Sequence, residues 1–261
     1  MNTAKILYFD IETAPEIAYI WKRWDENIGP QQVIEPGYVM CAGWAWNEGG
    51  VQSVALVDSP MWSDGQRKND FYIVKAMWEL LNEADIVVGH NVKGFDIQVL
   101  NGRFVVHGFA PPQNYKVVDT LEVLRRRFRL PANSLESATQ SFGIEQKRKQ
   151  GFELWSGCMN GSERAWADMV SYCRGDVRKT RELYKKIRPF DDRHPNLGLY
   201  EDDPDRPICV KCGSKKLQSR GLSMTQVNKF RRFQCMDCGG WSRSRVMEKP
   251  DRKNVLTNVG N

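Results

Sequence analysis

Asp10 and Glu12 stand two residues apart in the segment KILYFDIET, residues 5–13, whose β-forming composition predicts a strand. On a strand, positions two apart leave the same face, so the two carboxylates lie side by side. Adjacent carboxylates repel each other, and a divalent cation between them relieves the repulsion. Taken alone, the pair also fits a strand end with solvated acids. Two further segments add to it. His90-Asn91-Val92-Lys93-Gly94-Phe95-Asp96 sets an acid at the start of a predicted helix. Tyr172 and Asp176 are four residues apart, on one face of another. Gly175 costs that helix about 1 kcal/mol relative to Ala, which points to a close approach there.

A second metal chemistry lies near the C-terminus. Cys209-Val210-Lys211-Cys212 and Cys235-Met236-Asp237-Cys238 are separated by 22 residues, and each pair is followed by a glycine that permits a tight turn. Four thiolates suit one tetrahedral Zn2+, and such a closed site has no open position for chemistry. The other cysteines, Cys41, Cys158 and Cys173, sit among apolar residues and read as core thiols.

The elements that must position these groups follow from periodicity. Residues 38–46 and 51–57 read as two more strands joined by the turn Asn47-Glu48-Gly49-Gly50. A helix carries Phe71, Val74, Trp78 and Leu81 on one stripe. Residues 86–88 and 116–118 read as short strands, 97–106 as a helix, and 120–186 as helical in three pieces. This order implies an α/β domain with a mixed sheet. Prolines at 189, 195, 204 and 207 with the acidic cluster Glu201-Asp202-Asp203 read as a linker. The expected division is a catalytic domain over 1–190, a linker over 191–207, a zinc ribbon over 208–248 and a flexible basic tail over 249–261.

Asp10-Ile11-Glu12, then Asn91 to Phe95-Asp96, then Tyr172 to Asp176 resemble the three motifs of the DEDD superfamily of 3′–5′ exonucleases. The Y-x-x-x-D third motif marks its tyrosine subgroup, which includes the proofreading domain of family-B DNA polymerases. Val118-Asp119-Thr120 and the stretch from Ser134-Leu135-Glu136 to Phe142-Gly143-Ile144 also resemble segments of that superfamily. The resemblance covers about residues 5–187 and implies a ribonuclease H-like fold; the whole layout is similar to stand-alone phage-type exonucleases. It further implies two Mg2+ or Mn2+ ions held by Asp10, Glu12 and Asp176, with Asp10 bridging and Asp96 in support. Tyr172 would orient the attacking water, since a phenol of ordinary pKa near 10 is a poor base at neutral pH. Asn91 is expected either to contact the terminal nucleotide or to cap a helix, and Phe95 to contact substrate. The C-terminal segment resembles a zinc ribbon with Phe230-Arg231-Arg232-Phe233 in its second hairpin, where Lys211, Arg231 and Arg232 would meet nucleic acid.

Other residues carry two readings each. His90 reads as a packed, hydrogen-bonded histidine before a ligand. Trp21 and Trp24 fit base stacking and fit core or lid packing. Lys147, Arg148 and Lys149 fit a backbone-contacting loop and fit a solvated charge run.

Composition sets the outer bounds. The chain has 261 residues, 41% of them hydrophobic, which excludes a disordered polyelectrolyte. No apolar run approaches the ~20 residues of a membrane span, and the N-terminus leads straight into a strand, so the expected location is the cytoplasm, a bacterial host's if phage-encoded. The net charge of +6 is uneven: residues 206–261 hold 13 Lys or Arg against three Asp or Glu, a net of +10, and the rest nets −4. A basic tail on an acidic body fits a nucleic-acid handle. Expected partners are the 3′ ends of single-stranded DNA or RNA, DNA favoured, and a replication or repair protein through the ribbon. The rivals are a ribonuclease D-like RNA 3′-end processing enzyme and a non-catalytic nucleic-acid-binding protein on a nuclease fold; against the latter, all four acids and the tyrosine are present.

Overall fold

The computed structural model describes residues 3–24, 27–63, 65–144, 150–203, 207–248 and 256. Residues 147–149, and the basic tail apart from Leu256, lie outside the described residues. Two compact units divide the chain: Lys5–Tyr184, and Lys185–Asn261 with Met1–Ala4.

The first unit is built on β1 (Ile6–Thr13), followed by the short pair β2 (Ile17–Ala18) and β3 (Val33–Glu35), then β4 (Val39–Trp46) and β5 (Gln52–Ala55). After α1 (Pro60–Ser63) and α2 (Phe71–Glu83) come β6 (Ile86–Gly89), α3 (Asp96–Val106) and β7 (Lys116–Asp119). Helices α4 (Thr120–Arg127), α5 (Leu135–Ser141), α6 (Phe152–Met159) and α7 (Glu163–Ile187) complete it. The sheet order is β5-β4-β1-β6-β7, with β1 antiparallel to β4 and parallel to β6. This is the expected mixed α/β sheet. Its central strand is paired on both sides, and Ile6, Leu7, Tyr8, Phe9 and Ile11 are buried, as a strand covered on both faces requires.

Three elements differ from expectation. The strand expected over 51–57 ends at Ala55, because Asp58 accepts the Ala55 N–H at 2.8 Å and turns buried Leu56 into the core. Among the described residues, the three helical pieces expected over 120–186 are four. Ser134 caps α5, and Gly143 and Gly161, at φ of 65° and 80°, break the chain before α6 and α7. On α2 the buried stripe is Ile73, Val74, Met77 and Leu81, while Phe71 and Trp78 stack on Phe109.

Buried Asp70 ties three elements together. Its carboxylate accepts from the Val39 N–H, from Arg103 Nε at 2.7 Å and from His107 Nε2 at 2.6 Å. A buried carboxylate so fully paired fixes the start of β4 against α2 and α3.

The second unit holds a three-stranded antiparallel sheet, order β10-β9-β8, of β8 (Leu217–Met224), β9 (Lys229–Cys235) and β10 (Trp241–Met247). After a 3-10 turn at Arg188–Phe190, the segment read as a linker contains another at Leu197–Tyr200, and the Leu197 N–H donates to the Val210 carbonyl at 2.9 Å. Among the described residues, no helix is long and apolar enough to cross a membrane.

Candidate active site

Asp10 and Glu12 leave one face of β1, where their partners on β4 are Gly43 and Cys41. The helix α7 packs onto β4 at Gly43: a Cβ added there would meet Cys173 Sγ and Val177 Cγ2 at 3.1 Å. Arg174 and Arg181 anchor α7 further, donating to the carbonyls of Val51 and Gly49 at 2.9 and 2.6 Å. One α-helical turn then brings Tyr172 and Asp176 to the carboxylates of β1. Carboxylate oxygens of Asp10, Glu12 and Asp176 all lie within 4.8 Å of one another. Gly43 was not foreseen, although a glycine inside a strand is a signal of close backbone approach. Gly175, where that approach was expected, is buried.

Asp96 is the first residue of α3, 3% exposed, and its Oδ1 accepts the Ile11 N–H at 3.0 Å. It thus braces the β1 backbone between the two acids, and its charge acts on both of them. Burial, and then repulsion from Asp96, Glu12 and Asp176, holds Asp10 well above the usual carboxylate range. Glu12 is pushed up to about 8, by burial first and then by Asp176 and Asp96. Asp96 is pushed up to about 7 by burial, against the pull of its backbone hydrogen bonds. Burial, Asp176, Glu12 and Asp10 raise Tyr172 above the ordinary phenol range, so its hydroxyl keeps its proton. Lys179, one turn along α7, pairs with Asp176 at 3.0 Å. Its i, i+3 spacing was readable; its half-buried place beside the cluster was not.

The loop before α3 is organised by Asp119, buried at the end of β7. Its carboxylate accepts the N–H groups of Asn91 (2.9 Å), Lys93 (3.1 Å) and Leu121 (2.9 Å). Asn91 adopts the left-handed φ of 61° and is exposed, as is Phe95. The cap of α3 is Phe95, so the capping role weighed for Asn91 does not hold. His90 is packed and hydrogen-bonded, with Nδ1 2.9 Å from Thr120 Oγ1 and its pKa lowered by burial.

In the second unit the sulfur atoms of Cys209, Cys212, Cys235 and Cys238 lie within 4.8 Å of one another. The two knuckles repeat one geometry. Gly213 and Gly239, at φ of 74° and 76°, donate to the carbonyls of Cys209 and Cys235, each at 2.9 Å. The Cys209 thiol is pulled down to about 4 by hydrogen bonds from Cys212 and from the backbone of the knuckle, so it sheds its proton readily. Lys211, expected to meet nucleic acid, is instead buried, and its Nζ donates to the Pro189 carbonyl at 2.5 Å. Arg231 pairs with Glu248 at 2.8 Å. Arg232 lies 4.7 Å from the Trp241 ring centre, and Arg243 lies 3.8 Å from that of Phe230. Guanidinium and aromatic groups thus alternate on one face of the ribbon sheet.

Trp21 and Trp24 belong to neither core: they are 94% and 80% exposed, in the connection between β2 and β3. The buried state of Cys41, Cys158 and Cys173 agrees with their reading as core thiols.

A family model described as the RNase_H superfamily matches residues 37–188, which include Asp96, Tyr172 and Asp176 and begin after β1. Among solved structures, the chain is similar in fold to the family B DNA polymerase from the hyperthermophilic archaeon Pyrobaculum calidifontis. The TM-score is 0.51 at 18% identity, over 76% of this chain and 25% of the polymerase. The chain therefore corresponds to about a quarter of that polymerase's length. A search of curated protein sequences found no match.

Proposed function

The chain belongs to the RNase_H superfamily, and we propose that within it this is a two-metal 3′–5′ exonuclease of the tyrosine DEDD subgroup and of the stand-alone phage type. Its substrate is single-stranded nucleic acid, DNA favoured over RNA, and its products are nucleoside monophosphates. The observation that carries this reading is the convergence of Asp10, Glu12 and Asp176 within 4.8 Å from two elements far apart in sequence. The 3′ direction rests on the motif resemblance.

The donor set fits hard divalent cations. All three side chains offer carboxylate oxygens, as Mg2+ and Mn2+ prefer, and Asp10 and Glu12 are held above the usual carboxylate range by burial and by the charges of Asp96 and Asp176. Asp10, Glu12 and Asp176 would hold the ions, with Asp96 fixing the β1 backbone between the first two. Two such ions, when bound, offset the charge that develops on the attacking and leaving oxygens of a phosphodiester. Tyr172 stays protonated and orients the attacking water by hydrogen bonding. Lys179 balances the charge of Asp176. Asn91 and Phe95, exposed on the loop before α3, would receive the terminal nucleotide.

The four thiols fit one structural Zn2+, whose binding would stabilise a unit too small to fold firmly on its own core. In this reading residues 1–190 are the nuclease, 191–207 the linker, and 208–248 a ribbon that tethers substrate or docks a replication or repair protein.

The test uses 20-mers of DNA and RNA labelled at the 3′ or the 5′ end, with and without Mg2+ or Mn2+. The 3′ label should leave at once as a mononucleotide and the 5′ label should give a descending ladder, only with metal. A 3′-phosphate should inhibit. Asp10→Asn or Asp176→Asn should lower turnover by at least about 100-fold without change in circular dichroism, and Tyr172→Phe by about 10- to 100-fold. Wild-type turnover in Asp10→Asn, or cleavage of a circular single strand, would overturn the proposal.

A further inference from the structure

The β2–β3 ribbon is the part of the nuclease unit that the reaction above leaves unused. It interrupts the connection between β1 and β4, whose ends pair through Thr13 and Val39. That is the end of β1 at which Asp10 and Glu12 stand. Its base is firmly closed: Ile17 pairs with Glu35, and the Tyr19 N–H donates to the Gln32 carbonyl at 2.9 Å. The Gln32 side chain ties the base from within, donating to the Tyr19 carbonyl at 3.0 Å and accepting the Gly29 N–H at 2.7 Å.

Beyond this base, the sequence Tyr19-Ile20-Trp21-Lys22-Arg23-Trp24 is presented outward. Tyr19, Ile20, Trp21 and Trp24 are 74, 54, 94 and 80% exposed, and Lys22 and Arg23 are exposed between the two indoles. Large aromatic faces grouped in this way mark an interaction surface. Its composition selects the partner. Bases of any sequence stack on indole faces, while cations between them meet the phosphates. A protein partner would bury the centre of the patch, where charge is disfavoured. The eight residue-to-residue steps from Thr13 to Trp21 span at most about 26 Å at ~3.3 Å each, which keeps the tip within a few nucleotides of the carboxylates.

We infer that the tip of the β2–β3 ribbon is a stacking clamp for single-stranded nucleic acid, holding the bases behind the 3′ end that lies among Asp10, Glu12 and Asp176. The inference rests on the exonuclease reading and adds a subsite to it. The clamp grips strands by shape and charge, without reading sequence, and releases them when they become too short to reach it.

The test compares the full-length protein with Trp21→Ala/Trp24→Ala and Trp21→Phe/Trp24→Phe. Binding of a fluorescein-labelled oligo(dT) 20-mer is followed by anisotropy without added divalent metal, and hydrolysis of a 20-mer and a dinucleotide is followed in Mg2+. The Ala pair should bind the 20-mer about 10- to 100-fold more weakly, and the Phe pair should stay within about three-fold of wild type. The loss in kcat/KM should follow strand length, large for the 20-mer and under about two-fold for the dinucleotide. Unchanged affinity in an Ala pair that still degrades the 20-mer refutes the clamp and leaves the exonuclease reading standing. An equal loss in the Phe and Ala pairs refutes stacking. A wild-type dimer that the Ala pair converts to monomer at unchanged affinity reassigns the tip to self-association. If the wild type neither binds nor degrades any strand, both readings fall.

Discussion

Burial and repulsion bring the folded chain to bind protons at Asp10, Glu12 and Asp96 more tightly than the unfolded chain does. The folded state therefore has this advantage in full below the ordinary carboxylate range. It loses it as pH rises through about 7 for Asp96 and about 8 for Glu12. Protein dialysed free of Mg2+ and Mn2+ should show Tm falling between pH 5 and 8.5 by scanning calorimetry. Added Mn2+ should raise Tm far more at pH 8.5 than at pH 5, because the ion then replaces no protons. A metal-induced shift that is flat across this range would contradict the carboxylate site. The Asp10–Glu12 and Tyr172–Asp176 pairs were legible because each lies within one element, where spacing alone decides the face. Asp119 was visible as a strand end, but its three backbone partners were not: two of them lie more than 20 residues earlier in the chain. Lys211 misled for a related reason, since a lysine in a knuckle reads as basic surface until the Pro189 carbonyl takes its ammonium.

The site depends on how closely α7 approaches the sheet, and Gly43 sets that distance. A Cβ already meets Cys173 Sγ and Val177 Cγ2 at 3.1 Å, so Gly43→Ala should be felt and Gly43→Val should push the helix away. Overpacking of this kind costs about 1–3 kcal/mol, and a shift near 1 Å in catalytic groups costs about 100-fold in rate. Gly43→Val should therefore lose far more activity than its drop in stability by urea titration accounts for, with Gly43→Ala between. Equal activity in all three proteins would show that α7 is not positioned there. The order of strands and helices was readable from periodicity, while the ends of elements were not. The strand over 51–57 kept its apolar pattern through Leu56, yet the Asp58 side chain competes for the Ala55 N–H and turns the chain. The helix at the end of the stretch 120–186 was the easiest to read, because the 25 residues of α7 carry one apolar stripe, with Trp166, Met169, Cys173, Val177 and Leu183 buried, through several turns.

At the scale of the molecule, the charge is divided between a basic C-terminal part at +10 and the remainder at −4. Arg232 and Arg243, with Trp241 and Phe230, place part of that charge on one face of the ribbon sheet. Each phosphate contact removed from a single strand flattens log K against log salt by about 0.7, so Arg232→Ala/Arg243→Ala should lower the slope by about 1.4. Zinc content by atomic absorption should stay at wild type in that variant and fall in Cys235→Ser, with affinity for a long strand reduced in both. An unchanged salt slope in Arg232→Ala/Arg243→Ala would favour protein docking by the ribbon. The cysteine spacing and the charge break set the C-terminal part apart in the sequence, while the compact units divide at Tyr184, six residues before the expected end of the catalytic domain. The order within residues 188–203 was not legible, because prolines signal a linker whether or not the chain packs afterwards. One consequence concerns synthesis. During translation β1 emerges early, but Tyr172 and Asp176 come only with α7, after every other strand of its sheet has been made. Until that last helix has docked, the growing chain holds only part of its carboxylate cluster and cannot assemble the metal site.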